Sequence, residues 1–585
     1  MGELAVAFLT AFVLSLAGTL GAEALATRAG LVTLPREDRW HRRPIPLLGG
    51  LAIMGGSLAP LFVVRGAGRF APFVLIALSM GAVGLFDDVR SLRPPAKLVL
   101  QIVLAAVLID LGFVLRLSTY PLVNLFLTLV WIVGITNAFN LLDNMDGLAA
   151  GMAFIAAGFR LAFFLMDGDR AGAALMAGFA GAAAGFLVRN FPPAKVFMGD
   201  AGSLFIGFFL AGACLAGDYP YSRGIAAVLV VPVLLMLIPI FDTTFVTVTR
   251  LLTGRPVARG GRDHTSHRLV SLGITERGAV ALLYGVSVLA GLLAILSYEY
   301  GLNHTVIFLA LLLVGLLLLG VHLGRVHLLG PDGARVDGPV VRLVADFPFK
   351  RHVATVGIDL VLIVTAYYTA YLLRFEDAFE EYRPLFAATV APLIVLQISS
   401  LALFGSYRGL WRYTSLPELF ALLRGATVGA AATVLYLLFT TRFAGLSRAV
   451  FVLDWLLLVL LLAGSRLSLR LLGEWLRPAR KDFRRVLIYG AGDGGELMLR
   501  ELRKNGALQR DPVGFIDDDP AKAGTRIHEV PVLGSLEAVD QLLSAHRVGE
   551  VIVASEKISA ERVRRLETIC ASHRVRVARA AVRIE

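Results

Sequence analysis

Carboxylates collect at the ends of apolar segments in this sequence. Asp87 and Asp88 close one such segment, where their charges repel each other and face the negative end of a helix dipole. The polar segments 137–148 and 196–204 flank other apolar stretches, and Asp200 lies in the second. Mg²⁺ prefers one or two carboxylates with retained waters beside a phosphate. The pattern therefore favours a Mg²⁺ site for a phosphate substrate over a set of acids that are only solvated. Mn²⁺ could substitute for Mg²⁺.

The apolar stretches that position these carboxylates are long and numerous. The chain has 585 residues, of which 57% are hydrophobic and 17% charged, with a mean hydropathy of +0.73. About 20 apolar residues cross a bilayer as a helix, so the fold class is a polytopic α-helical membrane protein. Its first helix is predicted to be retained, not cleaved as a signal peptide. Spans are predicted at residues 4–26, 47–64, 71–86, 98–113, 121–137, 148–166, 171–188, 203–217, 224–241, 277–297, 305–323, 353–373, 385–404, 419–440 and 449–465.

The arginines indicate the orientation. If the N-terminus is outside, the arginine-rich loops 27–46 and 242–276 and every polar motif lie in the cytoplasm, as the positive-inside rule requires. The net charge of +12 is explained in this way, so no nucleic-acid partner is expected. Two cysteines form neither a disulfide framework nor a zinc site. The predicted location is a bacterial plasma membrane, with the site and the C-terminal domain in the cytoplasm.

The last hundred residues are less apolar and predict a cytoplasmic α/β domain of Rossmann type. Gly490, Gly492 and Gly495 form a G-x-G-x-x-G turn between a strand and a helix, and Asp517 ends the next strand, where an acid can bind a ribose. A nucleotide or nucleotide sugar is one expected ligand, and a purely structural tight turn is the alternative. The predicted divisions are a multi-span domain 1–325, a linker 326–352, a four-helix membrane region 353–466 and the domain 484–585.

The polar motifs resemble one family, the polyprenyl-phosphate N-acetylhexosamine-1-phosphate transferases of glycosyltransferase family 4 type. The likeness covers residues 1 to about 325 and includes Asp87 and Asp88 followed by Lys97 and Gln101. The other matching segments are 38–50, 137–148, 196–204, 239–243 and 261–269. The resemblance implies an enzyme that transfers a sugar 1-phosphate from a UDP-sugar to polyprenyl phosphate and releases UMP.

The resemblance also implies roles for residues. Asp87 is the base or the nucleophile toward the lipid phosphate, and Asp88 supports it. Asp200 is the principal Mg²⁺ ligand, and Asp87 and Asp88 are further candidate ligands. Asp200 is also a candidate cap for a helix beginning near Ser203, and Asp146 is alternatively a helix N-terminal acid. His264 is a further catalytic candidate. The predicted substrate-binding residues are Lys97, Asn137, Asn140, Asp143, Asp146, Asn190, Phe197, His267 and Arg268.

The histidines of the late basic loop bear on the sugar. The peptidoglycan enzyme of this family has three successive histidines there, whereas this chain has His264 and His267 separated by two residues. The departure favours UDP-GlcNAc or another UDP-N-acetylhexosamine over a MurNAc-pentapeptide substrate, with undecaprenyl phosphate as acceptor. The alternatives are a lipid-linked sugar transporter or flippase and a membrane scaffold with a nucleotide-sugar-sensing C-terminal domain.

The second half resembles another family. Segments 370–376, 405–413 and 454–466 look like the membrane-anchored N-terminal half of polysaccharide-biosynthesis nucleotide-sugar dehydratases. No second glycine fingerprint or Tyr-x-x-x-Lys motif follows, so dehydratase activity within this chain is not expected. This half has no visible catalytic acid, base or nucleophile of its own, so a binding role is expected. A homodimer and a nucleotide-sugar-modifying enzyme are the candidate partners.

Overall fold

The computed structural model describes most of the chain and divides it into two compact units. The described residues are 2–33, 44–216, 224–253, 261, 263–324, 350–407, 416–475, 483–504, 510–555 and 558–579. The first unit is Met1–Arg477 and the second is Pro478–Glu585. The predicted linker 326–352 lies almost entirely outside the described residues, as do Asp38 to Arg43 of the first matching segment and most of segment 405–413.

The first unit is built from helices joined by short turns. Its first fourteen helices are α1 (Gly2–Ala29), α2 (Gly49–Gly56), α3 (Ala59–Val63), α4 (Ala71–Arg90), α5 (Pro94–Asp110), α6 (Pro121–Leu142), α7 (Leu148–Met166), α8 (Arg170–Asn190), α9 (Gly199–Leu215), α10 (Gly224–Leu235), α11 (Leu237–Thr253), α12 (Thr265–Ser271), α13 (Glu276–Tyr300) and α14 (Leu302–Gly324). A small antiparallel pair, β1 (Val32–Thr33) and β2 (Ile45–Pro46), joins the end of α1 to the start of α2. The fold class predicted from the sequence is confirmed.

The number of spans is smaller than the sequence predicts. Among the described residues, 11 helices are long and apolar enough to cross a membrane, or up to 12 if the bent pair α10 and α11 counts as one span. The predicted span 47–64 is instead the two short helices α2 and α3. The predicted spans 98–113 and 203–217 fall in helices of only 17 residues each, α5 and α9. A run of apolar residues does not reveal where a helix breaks or how much of it is enclosed by protein.

The bend between α10 and α11 has a chemical cause. The helices meet at 77° across a one-residue break after Leu235. Pro239 stands in the first turn of α11 and has no N–H to donate to the carbonyl of Leu235, so one bond of the helical ladder is missing at the bend. The predicted span 224–241 is therefore not one straight helix.

Four more long helices complete the first unit. They are α15 (Lys350–Phe375), α16 (Phe379–Leu403), α17 (Leu416–Thr441) and α18 (Arg448–Trp475). Val314 and Leu318 of α14 belong to the apolar core of these helices, whereas Leu323 of the same helix belongs to the core of the preceding ones. Helix α14 is therefore shared by both groups of membrane helices.

The second unit is an α/β domain around a mostly parallel sheet. Its elements are β3 (Arg484–Tyr489), α19 (Asp493–Lys504), β4 (Arg510–Ile516), β5 (Arg526–Ile527), β6 (Val530–Gly534), α20 (Val539–Ala545), β7 (Glu550–Val553), α21 (Ala560–Ser572) and β8 (Arg576–Arg579). The strand order is β5-β6-β4-β3-β7-β8, and only the β5–β6 pair is antiparallel. This is the strand and helix arrangement that the sequence predicts.

Candidate active site

The predicted site residues lie where successive helices of the first unit end and begin. Asp87 is in the last turn of α4, Lys97 in the first turn of α5, Asn140 in the last turn of α6 and Asp200 in the first turn of α9. Antiparallel helices joined by short connections place these termini at one end of the bundle. The site therefore lies at the end of the membrane helices and not at their middle.

Close backbone contact brings α9 against α4 and α2. A side-chain carbon at Gly84 would stand 2.2 Å from the carbonyl oxygen of Asp200, and one at Gly50 would stand 2.3 Å from the nitrogen of Gly202. No side chain fits at such distances, so glycine is required at both positions. These contacts fix the position of Asp200 relative to the end of α4.

Lys97 joins two of the three predicted carboxylates. Its Nζ lies 2.6 Å from Oδ2 of Asp87 and 2.5 Å from Oδ2 of Asp200. The Lys97 and Asp87 side chains are 17% and 11% exposed, whereas Asp200 is 33% exposed. A positive charge between two partly buried carboxylates offsets their mutual repulsion. Of these two carboxylate side chains, Asp200 has the larger exposed fraction.

Asp88 has a different environment from Asp87. Its two carboxylate oxygens accept hydrogen bonds from the backbone N–H groups of Asp200 and Ala201, at 2.8 and 3.0 Å. Asp88 therefore caps the N-terminus of α9, where an acid also interacts favourably with the helix dipole. The sequence suggested that Asp200 caps a helix beginning near Ser203. That interpretation was wrong, because the helix begins at Gly199 and its cap comes from α4.

Amide side chains on α5 and α6 hold the site from the bundle side. Asn140 Nδ2 donates to Oδ1 of Asp200 at 2.8 Å and to Oγ of Ser203 at 2.9 Å. One turn deeper, Asn137 Nδ2 donates to Oε1 of buried Gln101 at 2.8 Å. Lys97 lies one turn before Gln101 on α5. The Asn137–Gln101 pair therefore ties together the two helices that carry Lys97 and Asn140.

The loop between α8 and α9 is held by two more predicted residues. Asn190 accepts from the backbone N–H of Gly147 at 3.0 Å and donates to the carbonyl of Val196 at 2.9 Å. Asp146 accepts from the N–H of Ala194 at 2.7 Å. Phe197 makes backbone hydrogen bonds to Pro46 and Gly49. These bonds place Asp146, Asn190 and Phe197 around one loop, next to the start of α9.

The late basic loop is anchored by acidic side chains that the sequence reasoning did not single out. His264 Nδ1 lies 2.7 Å from Oδ2 of Asp242, and Arg250 binds both oxygens of Asp263 at 2.7 Å. Burial raises the pKa of Asp263, but the bonds from Arg250 outweigh it and hold that pKa below its ordinary value. Asp242 lies in segment 239–243, which resembles the transferase family, and this resemblance is the sequence feature that could have identified it.

Short helix α12 connects this loop to the segment between α6 and α7. Ser266 Oγ donates to Oδ1 of Asn144 at 2.7 Å. Helix α12 therefore lies beside the segment that contains Asp143 and Asp146. The rings of His264 and His267 are 6.2 Å apart. Arg268 Nε and Nη1 bond the carbonyls of Asp263 and Leu323, so much of this buried guanidinium is used within the protein. His264 and His267 therefore lie in a segment that contacts the connection between α6 and α7, and Arg268 holds this segment to the end of α14.

The donor set suits a hard divalent cation at two of the three carboxylates. Asp87 and Asp200 each direct one oxygen at the Lys97 ammonium, and the other oxygen accepts from Leu92 N–H or Asn140 Nδ2. Both oxygens of Asp88 instead bind the first backbone N–H groups of α9. Within the described ranges, no group of three or more His, Cys, Asp or Glu side chains is arranged around a common metal position. Asp87 and Asp200 are therefore the residues that fit Mg²⁺, which uses few protein ligands beside phosphates.

The glycine turn of the second unit has the geometry of a nucleotide fold. Gly490 has a φ of +105°, and a side-chain carbon at Gly495 would lie 1.9 Å from the Gly490 carbonyl oxygen, so both glycines serve the turn itself. A side-chain carbon at Gly492 would meet nothing within 4 Å. Gly492 is the position where a ligand can approach the backbone.

Asp517 is bonded to the same turn. Its Oδ2 accepts from the N–H of Ala491 at 2.7 Å and from Nζ of Lys522 at 3.1 Å. Burial raises the pKa of Asp517, but hydrogen bonds from Asp519, Ala491 and Lys522 outweigh it and lower that pKa. Asp517 therefore stabilises the turn. The ribose contact that the sequence predicts for Asp517 stays a prediction.

Comparison with known proteins identifies the family of the first unit. A family model described as glycosyl transferase family 4 matches residues 70–218, the part that contains Asp87, Asp88 and Asp200. A probable undecaprenyl-phosphate N-acetylglucosaminyl 1-phosphate transferase of Bacillus subtilis is 32% identical over 333 residues, which cover 54% of this chain and 90% of the relative. The chain belongs to the polyprenyl-phosphate N-acetylhexosamine-1-phosphate transferase family. A decaprenyl-phosphate N-acetylglucosaminephosphotransferase of Mycolicibacterium smegmatis is 33% identical over 374 residues, 57% of this chain and 91% of that relative.

The second half of this transferase-family chain matches different proteins. A model described as a CoA-binding domain covers residues 402–581. A probable polysaccharide biosynthesis protein EpsC of Bacillus subtilis is 31% identical over 218 residues, 37% of this chain but only 36% of the relative. The predicted second resemblance is confirmed, and the chain spans about a third of that relative's length.

Proposed function

We propose that this protein transfers N-acetylglucosamine 1-phosphate from UDP-GlcNAc to undecaprenyl phosphate, with release of UMP, at the start of a cell-envelope polysaccharide. The observation that carries the proposal is the Asp87–Lys97–Asp200 cluster at one end of the bundle, in a chain of this family. A transporter would instead place its charges near the middle of broken helices. The relatives named for N-acetylglucosamine transfer support the choice of sugar.

The reaction exchanges one phosphoanhydride bond for another. An oxygen of the lipid phosphate bonds to the β-phosphorus of the UDP-sugar, and the bond from that phosphorus to the bridging oxygen of UMP breaks. Asp87 either receives the acceptor's proton in this direct displacement, or first attacks the β-phosphorus itself and displaces UMP. In the second route the lipid phosphate then displaces the Asp87 carboxylate from the phosphorus. Lys97 faces the negative charge that develops on the phosphates. Mg²⁺, when bound by Asp200 and Asp87, would neutralise phosphate charge and stabilise the leaving UMP.

The remaining site residues support binding of the nucleotide. Phe197 offers a ring on which uracil can stack. Asp146 and Asn190 bond to the same loop, and Asp143 lies three residues before Asp146 in the chain. His264, which Asp242 orients, and His267 supply polar groups for the sugar phosphate. The site is proposed to face the cytoplasm, where UDP-sugars are made, and the arginine-rich loops support this orientation.

A reconstituted assay tests the proposal. The full chain is supplied with undecaprenyl phosphate, Mg²⁺ and either UDP-GlcNAc or other UDP-sugars, and UMP release is measured. Asp200→Asn and Asp87→Asn should each lower turnover by roughly a hundredfold or more, as loss of one charged transition-state contact does. Asp110→Asn, at the opposite end of α5 and exposed, is the matched control and should be unaffected.

Two outcomes would refute parts of the proposal. Near normal turnover in Asp200→Asn or Asp87→Asn would exclude the assigned cluster. Efficient use of UDP-MurNAc-pentapeptide in place of UDP-GlcNAc would refute the substrate. Chelation should abolish UMP release, and added Mg²⁺ or Mn²⁺ should restore it, because the carboxylates suit hard divalent cations.

A further inference from the structure

Arginines line one edge of the sheet in the second unit. The strands β4, β3, β7 and β8 are adjacent and parallel, so their amino ends meet at the same edge. Exposed arginines stand at or just before the starts of three of these strands. They are Arg484, Arg485, Arg547, Arg574 and Arg576. We call this set the arginine edge.

The strand register holds the arginine edge together. Arg484 pairs with Arg510 of β4 in the parallel register, and the backbone N–H of Arg576 donates to the carbonyl of Gly549, just before β7. Arg485 Nη1 donates to the carbonyl of His546, at the end of α20. These contacts make the edge one continuous surface and not a set of separate side chains.

Little negative charge offsets the arginine edge. The acids at these strand starts are Asp511, which is half-buried, and Glu550, which is fully buried and binds Arg510 at 2.7 and 2.8 Å. Within the described residues, none of the five arginines of the edge forms an ion pair with an acid. Their charges are therefore available to an external anionic partner.

Four aspartates lie at the opposite edge of the sheet. Asp493 follows β3 at the start of α19, and Asp517, Asp518 and Asp519 follow β4. Asp517 and Asp518 are paired with Lys522 and Arg562, and exposed Arg579 ends β8, so positive charge offsets part of this acidity. A flat anionic surface would therefore attract the arginine edge more strongly than the carboxyl edge.

The chain enters this domain at the arginine edge. Helix α18 contains the candidate span Arg448–Ser468 and ends at Trp475, and Arg484 begins β3 only nine residues later. Nine residues reach at most about 32 Å. The intervening sequence adds Arg477, Arg480 and Lys481. The edge is thus tethered within reach of the lipid headgroups beside the last membrane helix.

We propose that the arginine edge docks the C-terminal domain on anionic lipid headgroups of the membrane. Basic clusters next to a membrane helix bind anionic lipids through electrostatic attraction that falls off within a Debye length. The bound domain directs its carboxyl edge, with the glycine turn and Asp517, away from the bilayer. A ligand then reaches that turn from the aqueous side.

Energy transfer in nanodiscs tests the docking in the full chain. A donor dye is attached at Ser544→Cys, near the arginine edge at the end of α20, and acceptors are attached to lipid headgroups. Ala560→Cys, at the start of α21 near the carboxyl edge, is the control label. The native Cys214 and Cys570 are buried. Transfer from position 544 should be roughly twofold higher in nanodiscs with phosphatidylglycerol than in pure phosphatidylcholine, and high salt should remove the difference.

Charge-reversal variants distinguish an effect of the arginine edge from an effect of the domain's net charge. Arg484→Glu with Arg576→Glu should remove the dependence on phosphatidylglycerol. Arg564→Glu with Arg565→Glu, exposed on α21, changes the charge equally and should leave the dependence intact. Limited proteolysis checks that each variant is folded. If the charge-reversed variant is not folded, the neutral variant Arg484→Gln with Arg576→Gln replaces it. Energy transfer that does not depend on lipid charge would overturn the proposal. So would an equal loss of the phosphatidylglycerol dependence in the control variant, or a change only in oligomeric state.

Discussion

The paired aspartates at the end of α4 have the same chemistry but different partners. Asp87 binds Lys97 and also accepts from the backbone N–H of Leu92 at 2.5 Å, whereas Asp88 binds the first N–H groups of α9. Sequence analysis could predict the pair as a site, because adjacent carboxylates at a helix end are unusual. It could not assign their roles, because Asp88 and Asp200 are 112 positions apart and their contact depends on tertiary packing.

The role of Asp88 can be tested by substitution. Asp88→Ala removes both acceptors of the α9 cap and should destabilise the protein by about 1–2 kcal/mol, the usual cost of a lost N-cap. Asp88→Asn keeps one acceptor and should recover part of that stability. Thermal unfolding of the detergent-solubilised chain measures both. UMP release should follow the same order, because the cap positions Asp200.

A different order would indicate a direct chemical role. If Asp88→Ala unfolds at the normal temperature but does not release UMP, the carboxylate itself is needed and the cap is incidental. Equal inactivation by Asn and Ala at different stabilities would lead to the same conclusion.

At the scale of elements, glycine contacts decide how the helices meet. The sequence predicts most of the long helices, because a run of about 20 apolar residues is a strong signal. It does not predict the short helices α2, α3, α5 and α9 as such, because their lengths depend on which neighbours enclose them. The position of the site at one end was predictable, since polar motifs fall between apolar runs.

The contact of Gly84 with Asp200 predicts a large effect for a small substitution. Gly84→Ala should lower stability by about 2 kcal/mol or more and reduce turnover, because a methyl group 2.2 Å from a carbonyl oxygen forces α4 and α9 apart. Gly134→Ala, in α6, meets nothing within 4 Å and is the matched control. Unfolding temperature and UMP release are measured for both. Similar behaviour of the two variants would show that the close packing is not required.

At the scale of the whole molecule, the first unit combines regions related to two different groups of proteins. The residues that match the transferases and those of the four-helix region share α14, whose Val314 and Leu318 pack in the four-helix core. Near the end of α14, the carbonyl of Leu323 holds Arg268 of the late basic loop. The sequence predicted two parts but not this shared helix, since both sets of α14 residues are apolar.

Removal of everything after residue 325 should therefore preserve α14 and the bond from Arg268 to Leu323. The shortened chain should insert and release UMP, because Asp87, Lys97, Asp200 and His264 all remain. Its KM for the UDP-sugar is expected to rise by a few fold through a looser α12, with kcat little changed. The comparison uses the full chain in the same lipid. A truncated protein that is folded but releases no UMP would show that the halves form one catalytic unit.

The length of α9 has a consequence for the membrane itself. Seventeen residues extend about 25 Å, less than the roughly 30 Å of a bilayer's hydrocarbon core. Arg160 binds the carbonyl of Ala213, near the far end of this helix, at 2.8 Å, so polar groups mark both of its ends. Because Ala201 to Leu215 of α9 are buried, neighbouring helices and not lipid surround this helix, and the acceptor phosphate must sink below the plane of its neighbours to meet Asp200. The depth of Asp200 thereby sets how easily the lipid substrate reaches the carboxylates.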